Sequence, residues 1–337
     1  MKLPIASGFG QRLSATTPGI VACVVIAAAA KFLSEQYHAP VMLFALLLGI
    51  AMNFLAGESA CTPGIAFSAR TVLRWGVALL GLRITVGDIS ALGWQPAVGV
   101  VVSVGLTMAI SIAAARLMGF RTAFGVLSGG ATAICGGSAA LALAAAMPAH
   151  PQRERALSFT LIGISTLSNI ALILYPVIAR ALGLDPTQAG IFLGGSIHEV
   201  AQAVGAGYSV SVPVGDTATV VKLMRVVMLL PVIALTVLLM RGPASQASDS
   251  RRPPLLPWFI ILFAAFVLVN SLGWIPQPVV QAGVSLSGWC LVVAIAAVGV
   301  KTQVRNLLTV GIKPIVLMIG ETLLLAAIVL GLLRLYG

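Results

Sequence analysis

The sequence predicts an all-α membrane protein that crosses the bilayer many times. Of its 337 residues, 59% are hydrophobic and only 9% are charged, whereas soluble domains carry roughly 25% charged residues. Apolar stretches of about 20 residues, the length that spans a bilayer, recur from one end of the chain to the other. Two glycine-rich stretches interrupt this pattern, as is typical of secondary transporters. The expected fold is therefore an inverted-repeat secondary transporter with two re-entrant or broken helices.

The apolar segments are numbered here in chain order. We expect about nine to span the bilayer, and we expect the fifth and seventh, which are the glycine-rich ones, to be hairpins that enter it and return. The eleven segments are residues 17–37, 40–57, 71–92, 96–117, 124–147, 157–181, 188–208, 217–241, 256–273, 285–308 and 314–335.

An internal repeat relates the two ends of the chain. The stretch "GLRITVGDISALGWQP" (residues 81–96) aligns with "GVKTQVRNLLTVGIKP" (299–314) at a constant offset of 218 residues. A weaker match joins "GVLSGG" (125–130) to "GIFLGG" (190–195). An odd number of crossings separates segment two from segment nine, so these copies are expected to be inverted. The middle copies can be inverted as well only if segments five and seven are re-entrant.

The repeat and one polar stretch divide the chain into five parts. The stretch "RGPASQASDSRRPPLLP" is rich in Pro, Ser and charge, which indicates a solvated linker between two halves. The expected parts are an N-terminal span (1–39), the first half of the transporter (40–182), the second glycine-rich segment with its following helix (183–240), a cytoplasmic linker (241–256), and a repeat of residues 40–119 (257–337).

The basic residues predict the orientation and not a nucleic-acid partner. The formal net charge is +11, but Lys and Arg of membrane proteins collect in cytoplasmic loops. Few basic residues fall on the side opposite the N-terminus. They are Lys31, Arg180 and Arg334, against Arg70, Arg74, Arg116, Arg121, Arg153, Arg155 and others on the near side. We therefore expect a cytoplasmic N-terminus.

Four basic residues lie inside apolar segments. A charge at the centre of a membrane helix costs about 2.5–3.5 kcal/mol, so it is a functional candidate. Arg83 and Lys301 are near segment ends, where snorkelling to the headgroups is the alternative. Lys222 and Arg225 are three residues apart and share one helix face. They could clamp an anion or form ion pairs.

The first glycine-rich stretch, "SGGATAICGGSAALALAAAMP", has the composition of an anion site. Its glycines allow close backbone approach, and a half-helix that begins near Gly136 would point its N–H groups at a ligand. Helix packing through small residues is the alternative. The candidate substrate ligands here are Ser128, Gly129, Gly130, Thr132, Gly136, Gly137 and Ser138, with Asn169 in the next segment.

The second glycine-rich stretch, "GIFLGGSIHEVAQAVGAG", adds titratable groups. We expect Gly194 and Gly195 to break the segment, to contribute to the substrate site, and to leave His198 and Glu199 at the start of the following half-helix. His titrates near neutral pH, so this pair is a candidate for proton coupling. The alternatives are that Glu199 balances Lys222 or Arg225, and that His198 donates to a carbonyl.

Four stretches in order resemble a known family. "LLGLRITVGDI", "GGATAICGGSAALALAAAMP", "LGGSIHEVAQAVGAG" and "VKLMRVVMLLPVI" are similar to signature stretches of the sulfate exporter family, the YeiH-type bacterial membrane proteins. The resemblance covers nearly the whole chain and implies a secondary transporter of the bacterial inner membrane. More distantly, "GLRITVGDISALG" followed by a glycine-rich hairpin resembles sodium/glutamate symporters and the wider antiporter-like fold.

The resulting hypothesis is a transporter that exports sulfate or a similar small oxyanion by alternating access, coupled to a proton or sodium gradient. The alternatives are a carboxylate or amino-acid symporter of similar fold and a passive anion channel. No nucleophile–base–orienter set is visible, so we expect no enzyme activity, and the scattered cysteines indicate no metal site or other cofactor. The expected partners are the anion, the lipid bilayer and, as an open question, a second copy of the chain.

Overall fold

A computed structural model describes residues 7–147, 153–240, 257–302 and 311–336, and all regular structure in these ranges is helical. A 3₁₀ turn covers Asn53–Ala56 and a π turn covers Ser68–Val72. The helices are α1 (Ser7–Tyr37), α2 (Val41–Ala51), α3 (Thr62–Phe67), α4 (Leu73–Leu80), α5 (Val86–Ala91), α6 (Gln95–Leu117), α7 (Thr122–Ala133), α8 (Gly137–Ala146), α9 (Arg153–Ala181), α10 (Pro186–Ser196), α11 (Val200–Val210), α12 (Val212–Val227), α13 (Leu229–Met240), α14 (Trp258–Ser271), α15 (Gln277–Lys301) and α16 (Ile312–Tyr336).

Six helical stretches in the described part of the chain are long and apolar enough to cross a bilayer. They are Ala15–Tyr37, Gln95–Leu117, Arg153–Ala181, Val212–Met240, Gln277–Lys301 and Ile312–Leu335. Helices α2, α8 and α14 are apolar but shorter. The prediction of an all-α, multi-pass membrane protein is therefore confirmed, while nine spans with two hairpins stays a prediction.

Proline and polar caps set several helix starts. Pro96 lies in the first turn of α6, where a missing N–H costs nothing. Asp185 caps α10 by accepting from the N–H groups of Thr187 and Gln188, and the Gln188 side chain completes a capping box. Between α12 and α13 the helix is interrupted at Met228, three residues before Pro231, which supplies no N–H for a helical bond.

The chain forms two compact units, each built from two sequence ranges. The first unit contains Met1–Asp88 and Trp258–Gln303, and the second contains Ile89–Pro257 and Val304–Gly337. The predicted linker 241–256 lies outside the described residues. The first unit therefore holds α1–α4, α14 and α15, and the second holds α6–α13 and α16.

The first unit is packed through glycines at two related places. A Cβ on Gly299 of α15 would lie 2.5 Å from the carbonyl oxygen of Leu46 in α2, and a Cβ on Gly81, just after α4, would lie 2.3 Å from that of Phe263 in α14. Gly81 and Gly299 are repeat partners at the offset of 218. Each copy thus packs on the other copy's preceding helix, a reciprocity that two-fold pseudosymmetry predicts.

Polar residues of this unit lie at helix ends. The Asn53 side chain donates to the carbonyls of Val300 (2.7 Å) and Thr302 (2.8 Å) at the end of α15. This is the helix-bridging role expected of an amide in an apolar segment. Arg83 follows α4 and Lys301 ends α15, and both side chains are exposed. Their positions favour the snorkelling alternative.

Candidate functional site

Both glycine-rich segments of the second unit fold back on themselves. In the first, a Cβ on Gly130 of α7 would lie 2.3 Å from Cδ1 of Leu143 in α8, although a straight helix would separate these residues by about 20 Å. In the second, Cβ atoms on Gly190 of α10 and Gly207 of α11 would both lie close to the Val214 carbonyl oxygen, at 3.1 and 3.2 Å. We call α7–α8 and α10–α11 the first and second helical hairpins.

Two of the three glycine pairs lie outside the turns of these hairpins. The first turn is at residues 134–136 and the second at 197–199, whereas the sequence predicts the second break at Gly194 and Gly195. That prediction is wrong because these glycines are helical and serve packing: a Cβ on Gly194 would lie 2.4 Å from the Ala218 carbonyl oxygen of α12. Gly129 and Gly130 are likewise helical and pack on Ser111 and Leu143.

The prediction of a half-helix beginning near Gly136 is confirmed. Gly136 is the N-cap of α8 and has φ +67°, a conformation that favours glycine. The two hairpin turns are in direct contact, because the Nδ1 atom of His198 lies 3.1 Å from the Thr132 carbonyl oxygen. We call residues 134–136 and 197–199, with the helix ends on either side of them, the double break.

Lys222 of α12 is completely buried beneath the double break. Its ammonium group donates to the carbonyls of Ile134 (2.9 Å) and Ile197 (2.8 Å), and also to that of His198. These are C-terminal carbonyls of α7 and α10, which have no partner within their own helices. All three N–H groups of the lysine are therefore used by the two hairpins.

Arg225, one turn further along α12, is also completely buried and completes the same interaction. Its Nε donates to the Ala133 carbonyl at 2.9 Å, Nη1 donates to Gly194 and Ile197 at 3.3 and 3.1 Å, and Nη2 donates to Thr132 and Ala133 at 2.9 and 2.6 Å. These five bonds use the five N–H groups of the guanidinium. The two cations thus neutralise the negative ends of two helix dipoles.

These contacts give the two basic residues a structural role. Burial of an unpaired cation costs several kcal/mol, so a partner was correctly expected for each, but the partners are backbone carbonyls. In this conformation neither Lys222 nor Arg225 retains an N–H for a ligand. A direct contact between either side chain and an anion, as the sequence suggested, would require some of these bonds to break.

The N-terminal ends of α8 and α11 are more accessible than the carbonyl ends of α7 and α10. Helices α8 and α11 begin at the double break, so their first N–H groups lack helical partners. Gly137, Glu199 and Val200 are half-buried and Ser138 is exposed. The positive ends of two helix dipoles are therefore accessible at the double break, whereas the carbonyl ends are buried.

The Glu199 side chain lies at the start of α8. A Cβ on Gly136 would be 2.5 Å from Glu199 Cγ, and one on Gly137 would be 3.4 Å from Glu199 Oε1. A carboxylate is stabilised at this end of a helix. Glu199 is therefore held where the sequence argument expects a substrate anion, and no side chain larger than glycine fits at position 136.

Amide and hydroxyl groups of α9 and α11 surround this carboxylate. The Gln202 amide donates to Glu199 Oε2 (3.1 Å) and to Asn169 Oδ1 (2.9 Å), and the Glu199 N–H donates to Ser168 Oγ (3.1 Å). Gln202 Oε1 is buried without a partner among the described residues. Asn169 is among the residues that the sequence predicts at the site, whereas Ser168 and Gln202 are not.

Ser128 and Thr132 were expected to bind the substrate anion, but they hydrogen-bond to a carboxylate of the protein. Both hydroxyls are buried and donate to Glu321 of α16, Ser128 at 2.8 Å to Oε1 and Thr132 at 3.2 Å to Oε2. Thr322, the next residue, lies 3.0 Å from Nε2 of His198. Glu321 is the one acidic residue of α16, and nothing in the sequence places it beside α7.

Nine of the fourteen predicted site residues thus fall into three groups. Gly136, Gly137 and Glu199 meet at the accessible side of the double break with Asn169 linked through Gln202, and Lys222 and Arg225 hold its buried side. Ser128, Thr132 and His198 form a network with Glu321 and Thr322. Ser138 is exposed, and Gly129, Gly130, Gly194 and Gly195 lie inside helices. Among the described residues no cluster of His, Cys, Asp and Glu could hold a metal ion.

The fold and this site define a multi-pass α-helical membrane protein with two helical hairpins that meet turn to turn. The chain belongs to the family described as conserved hypothetical protein 698, whose model matches residues 18–318. This confirms the resemblance to YeiH-type membrane proteins.

The relatives are named only as membrane proteins. The UPF0324 membrane protein of Chlorobaculum tepidum is 53% identical over 315 residues, which cover 93% of this chain and 88% of the relative. The UPF0324 membrane protein TauZ of Paracoccus pantotrophus is 49% identical over 322 residues, 95% of either chain. The relative from Corynebacterium glutamicum is 31% identical over 316 residues, which cover 93% of this chain and 91% of the relative. No solved structure matches the chain.

Proposed function

We propose that this protein is a secondary active transporter that moves a small anion across the bacterial inner membrane by alternating access. The observation that carries the proposal is the asymmetry of the double break. Its carbonyl ends are neutralised by Lys222 and Arg225, and its N-terminal ends remain accessible. Two buried cations and two positive helix ends give the accessible side a potential that favours anions.

The ligands in this proposal are backbone N–H groups rather than the two basic side chains. The starts of α8 and α11 supply these groups. Ser138 lies in the first turn of α8, and Asn169 is linked to α11 through the Gln202 amide. A tetrahedral oxyanion such as sulfate can accept from several N–H groups at once. Sulfate and the direction of export follow from the family resemblance, and no enzyme activity is part of the proposal.

The contacts of Lys222 and Arg225 also indicate which ion is coupled to anion transport. Transporters that bind sodium at a broken helix use unwound backbone carbonyls, and here Lys222 and Arg225 occupy those carbonyls. We therefore favour proton coupling, with Glu199 as one coupling residue and His198 as the other. Protonation neutralises the Glu199 carboxylate at the start of α8, so a substrate anion can replace it there. Anion binding should accordingly weaken as the pH rises.

The proposed orientation has the N-terminus in the cytoplasm, which is supported by the scarcity of basic residues on the other side. The expected partners are the anion and the bilayer, and a homodimer stays open. Both helical hairpins fold back on themselves, which is typical of secondary transporters. Alternating access is therefore favoured over an open pore.

The test is transport by the purified protein in liposomes. Liposomes loaded with unlabelled sulfate should take up labelled sulfate with saturable, counterflow-stimulated kinetics. Uptake that rises linearly with concentration and shows no counterflow would support a channel instead. Uptake of a dicarboxylate or amino acid but not of inorganic oxyanions would support the symporter alternative.

The coupling residues are tested in the same liposomes under an imposed pH gradient. Glu199→Gln mimics the protonated acid, so this variant should bind the anion but lose the response of transport to the gradient. His198→Ala should also weaken that response. If both variants respond to the gradient like the wild type, the two residues have structural roles only.

A further inference from the structure

A row of buried hydroxyl groups runs along one face of α6. Ser103, Thr107 and Ser111 are spaced by four residues, so they lie on the same face of the helix, and all three are at most 1% exposed. Ser103 donates to the carbonyl of Val100 in its own helix at 3.0 Å. The Thr107 hydroxyl has no hydrogen-bond partner among the described residues, and the Ser111 hydroxyl interacts with the Glu321 carboxylate. A buried hydroxyl without a partner costs about 1–3 kcal/mol, so Thr107 is the unexplained member of this row.

One end of this row opens into a cavity of about 160 Å³. Ser103 lines this cavity together with polar residues at the start of α6 and around the start of α10, including Gln95, Asp185 and Gln188. Because one water needs only about 10–15 Å³ of such space, the cavity is large enough for several waters. Its lining also includes Gly195 and Val221 but none of the residues of the two hairpin turns.

The other end of the row reaches Glu321. Ser111 packs on Gly129 of α7, where an added Cβ would lie 2.8 Å from Ser111 Oγ. The preceding residue, Ser128, donates to Glu321. Glu321 is 3% exposed and has no cationic partner among the described residues. A carboxylate that is buried with hydroxyl donors alone can alternate between charged and neutral forms more readily than one held in an ion pair.

His198 continues the network from Glu321 to the double break. Its Nδ1 must donate to the Thr132 carbonyl, because a carbonyl oxygen only accepts. The Thr322 hydroxyl lies within hydrogen-bond distance of both His198 Nε2 (3.0 Å) and the Met318 carbonyl (2.7 Å). This hydroxyl has one proton. It can therefore donate to a neutral His198, or donate to Met318 while accepting from a protonated His198, without movement of any heavy atom.

We infer that the Ser103–Thr107–Ser111 row, Glu321 and His198 form a buried proton path between the α6 cavity and the double break, with Glu321 as its proton-binding residue. A proton from water in the cavity adds to a Glu321 carboxylate oxygen. Its transfer to Nε2 of a neutral His198 restores the carboxylate, and His198 then gives the proton to water at the double break. The inference rests on the proposed transport function and adds a titrating residue and an entry route to it.

Few other titratable groups face Glu321. His198 contacts it through Thr132 and Thr322, and Arg225 donates to the Thr132 carbonyl. Tyr175 is buried against Phe192. The remaining charged residues of α16 and of the helices packed on it lie in terminal turns or caps, namely Arg116, Arg121, Arg153, Glu154, Arg155, Arg180, Asp185, Lys313 and Arg334.

The experiment measures proton and sulfate movement together in liposomes that contain a pH-sensitive dye. Glu321→Gln should reduce proton movement per sulfate by about 100-fold, the typical contribution of a positioned acid–base group, while sulfate counterflow, which moves no net proton, persists. Glu154→Gln, the same change at an exposed acid on α9, is the matched control and should behave like the wild type. Thr107→Val and Ser111→Ala should slow proton movement without changing the acid itself.

Infrared difference spectroscopy provides a readout that is independent of transport. Acidification of the wild type should produce carbonyl bands of protonated carboxylic acids, and one component of these bands should be absent in folded Glu321→Gln. Wild type without any anion flux would refute the proposed function. Anion flux with proton movement that is unchanged in Glu321→Gln, Thr107→Val and Ser111→Ala would refute the proton path alone, and so would an unchanged carbonyl band.

Discussion

At the scale of single residues, the sequence identified the important charges but not their partners. Lys222 and Arg225 stand out because burial of a charge is costly. Their acceptors are carbonyls 24 to 93 residues away in the chain, and each of those carbonyls is free only because a helix ends there. No sequence pattern indicates which carbonyl a buried cation will reach, so an anion was the simplest expected partner.

Replacement of Arg225 should therefore act first on stability. Arg225→Gln leaves buried carbonyls of both hairpins without donors, each at about 1–3 kcal/mol, so the thermal midpoint in detergent should fall markedly. Arg225→Lys keeps the charge and should recover part of the loss. Arg83→Gln removes an exposed arginine and is the control, with little change expected. A folded Arg225→Gln with wild-type stability would contradict the assigned capping role.

At the scale of helices, composition located the two interrupted segments and, through Gly136, the first turn, but not the second turn. The Gly194–Gly195 pair suggested a break there, whereas α10 continues to Ser196. Glycine is permissive but does not by itself end a helix, and here the pairs permit close packing against Ser111 and Ala218. The second turn is marked instead by tertiary contacts, the hydrogen bonds from Lys222 and Arg225 to the Ile197 carbonyl. Local patterns do not contain that information.

The contact between the two hairpin turns can be tested at Gly136. Alanine in the left-handed conformation costs about 1–2 kcal/mol, and at this position its Cβ would also displace Glu199. Gly183→Ala is a matched control, because Gly183 has φ +65° and no atoms within 4 Å of an added Cβ. Both variants should lose stability, but only Gly136→Ala should change sulfate affinity. Equal effects on affinity would remove Glu199 and α8 from the anion site.

At the scale of the whole molecule, the repeat offset of 218 residues correctly predicts which helices correspond to each other, which composition alone does not. It pairs α2 with α14, the α3–α4 region with α15, and α6 with α16, in matching order. The paired glycines Gly81 and Gly299 make reciprocal contacts. What the offset could not predict is which elements form each compact unit, because α6 and α16 belong to a different unit from the helices that precede them in each copy.

The two copies of each repeat are inverted only if they cross the bilayer in opposite directions. For the middle repeat, this requires that both helical hairpins enter and leave the bilayer on one face. Helices α7 and α8 have 12 and 10 residues, so each is about 15–18 Å long and too short to cross about 30 Å of hydrocarbon alone. Joined end to end they could cross it. The contact between Gly130 and Leu143 shows that they fold back, which favours entry and return on one face.

Single cysteines introduced at exposed positions on either side of each helical hairpin test this topology. If both hairpins are re-entrant, Arg121→Cys and Glu154→Cys should react with an impermeant maleimide only in inside-out vesicles, and Asp185→Cys and Val212→Cys only from outside. The background replaces Cys23, Cys61, Cys135 and Cys290, none of which forms a disulfide, and it must retain transport. Labelling of positions 121 and 154 from opposite faces would mean that the first hairpin spans the bilayer. The middle repeat could then no longer be inverted by the same two-fold axis.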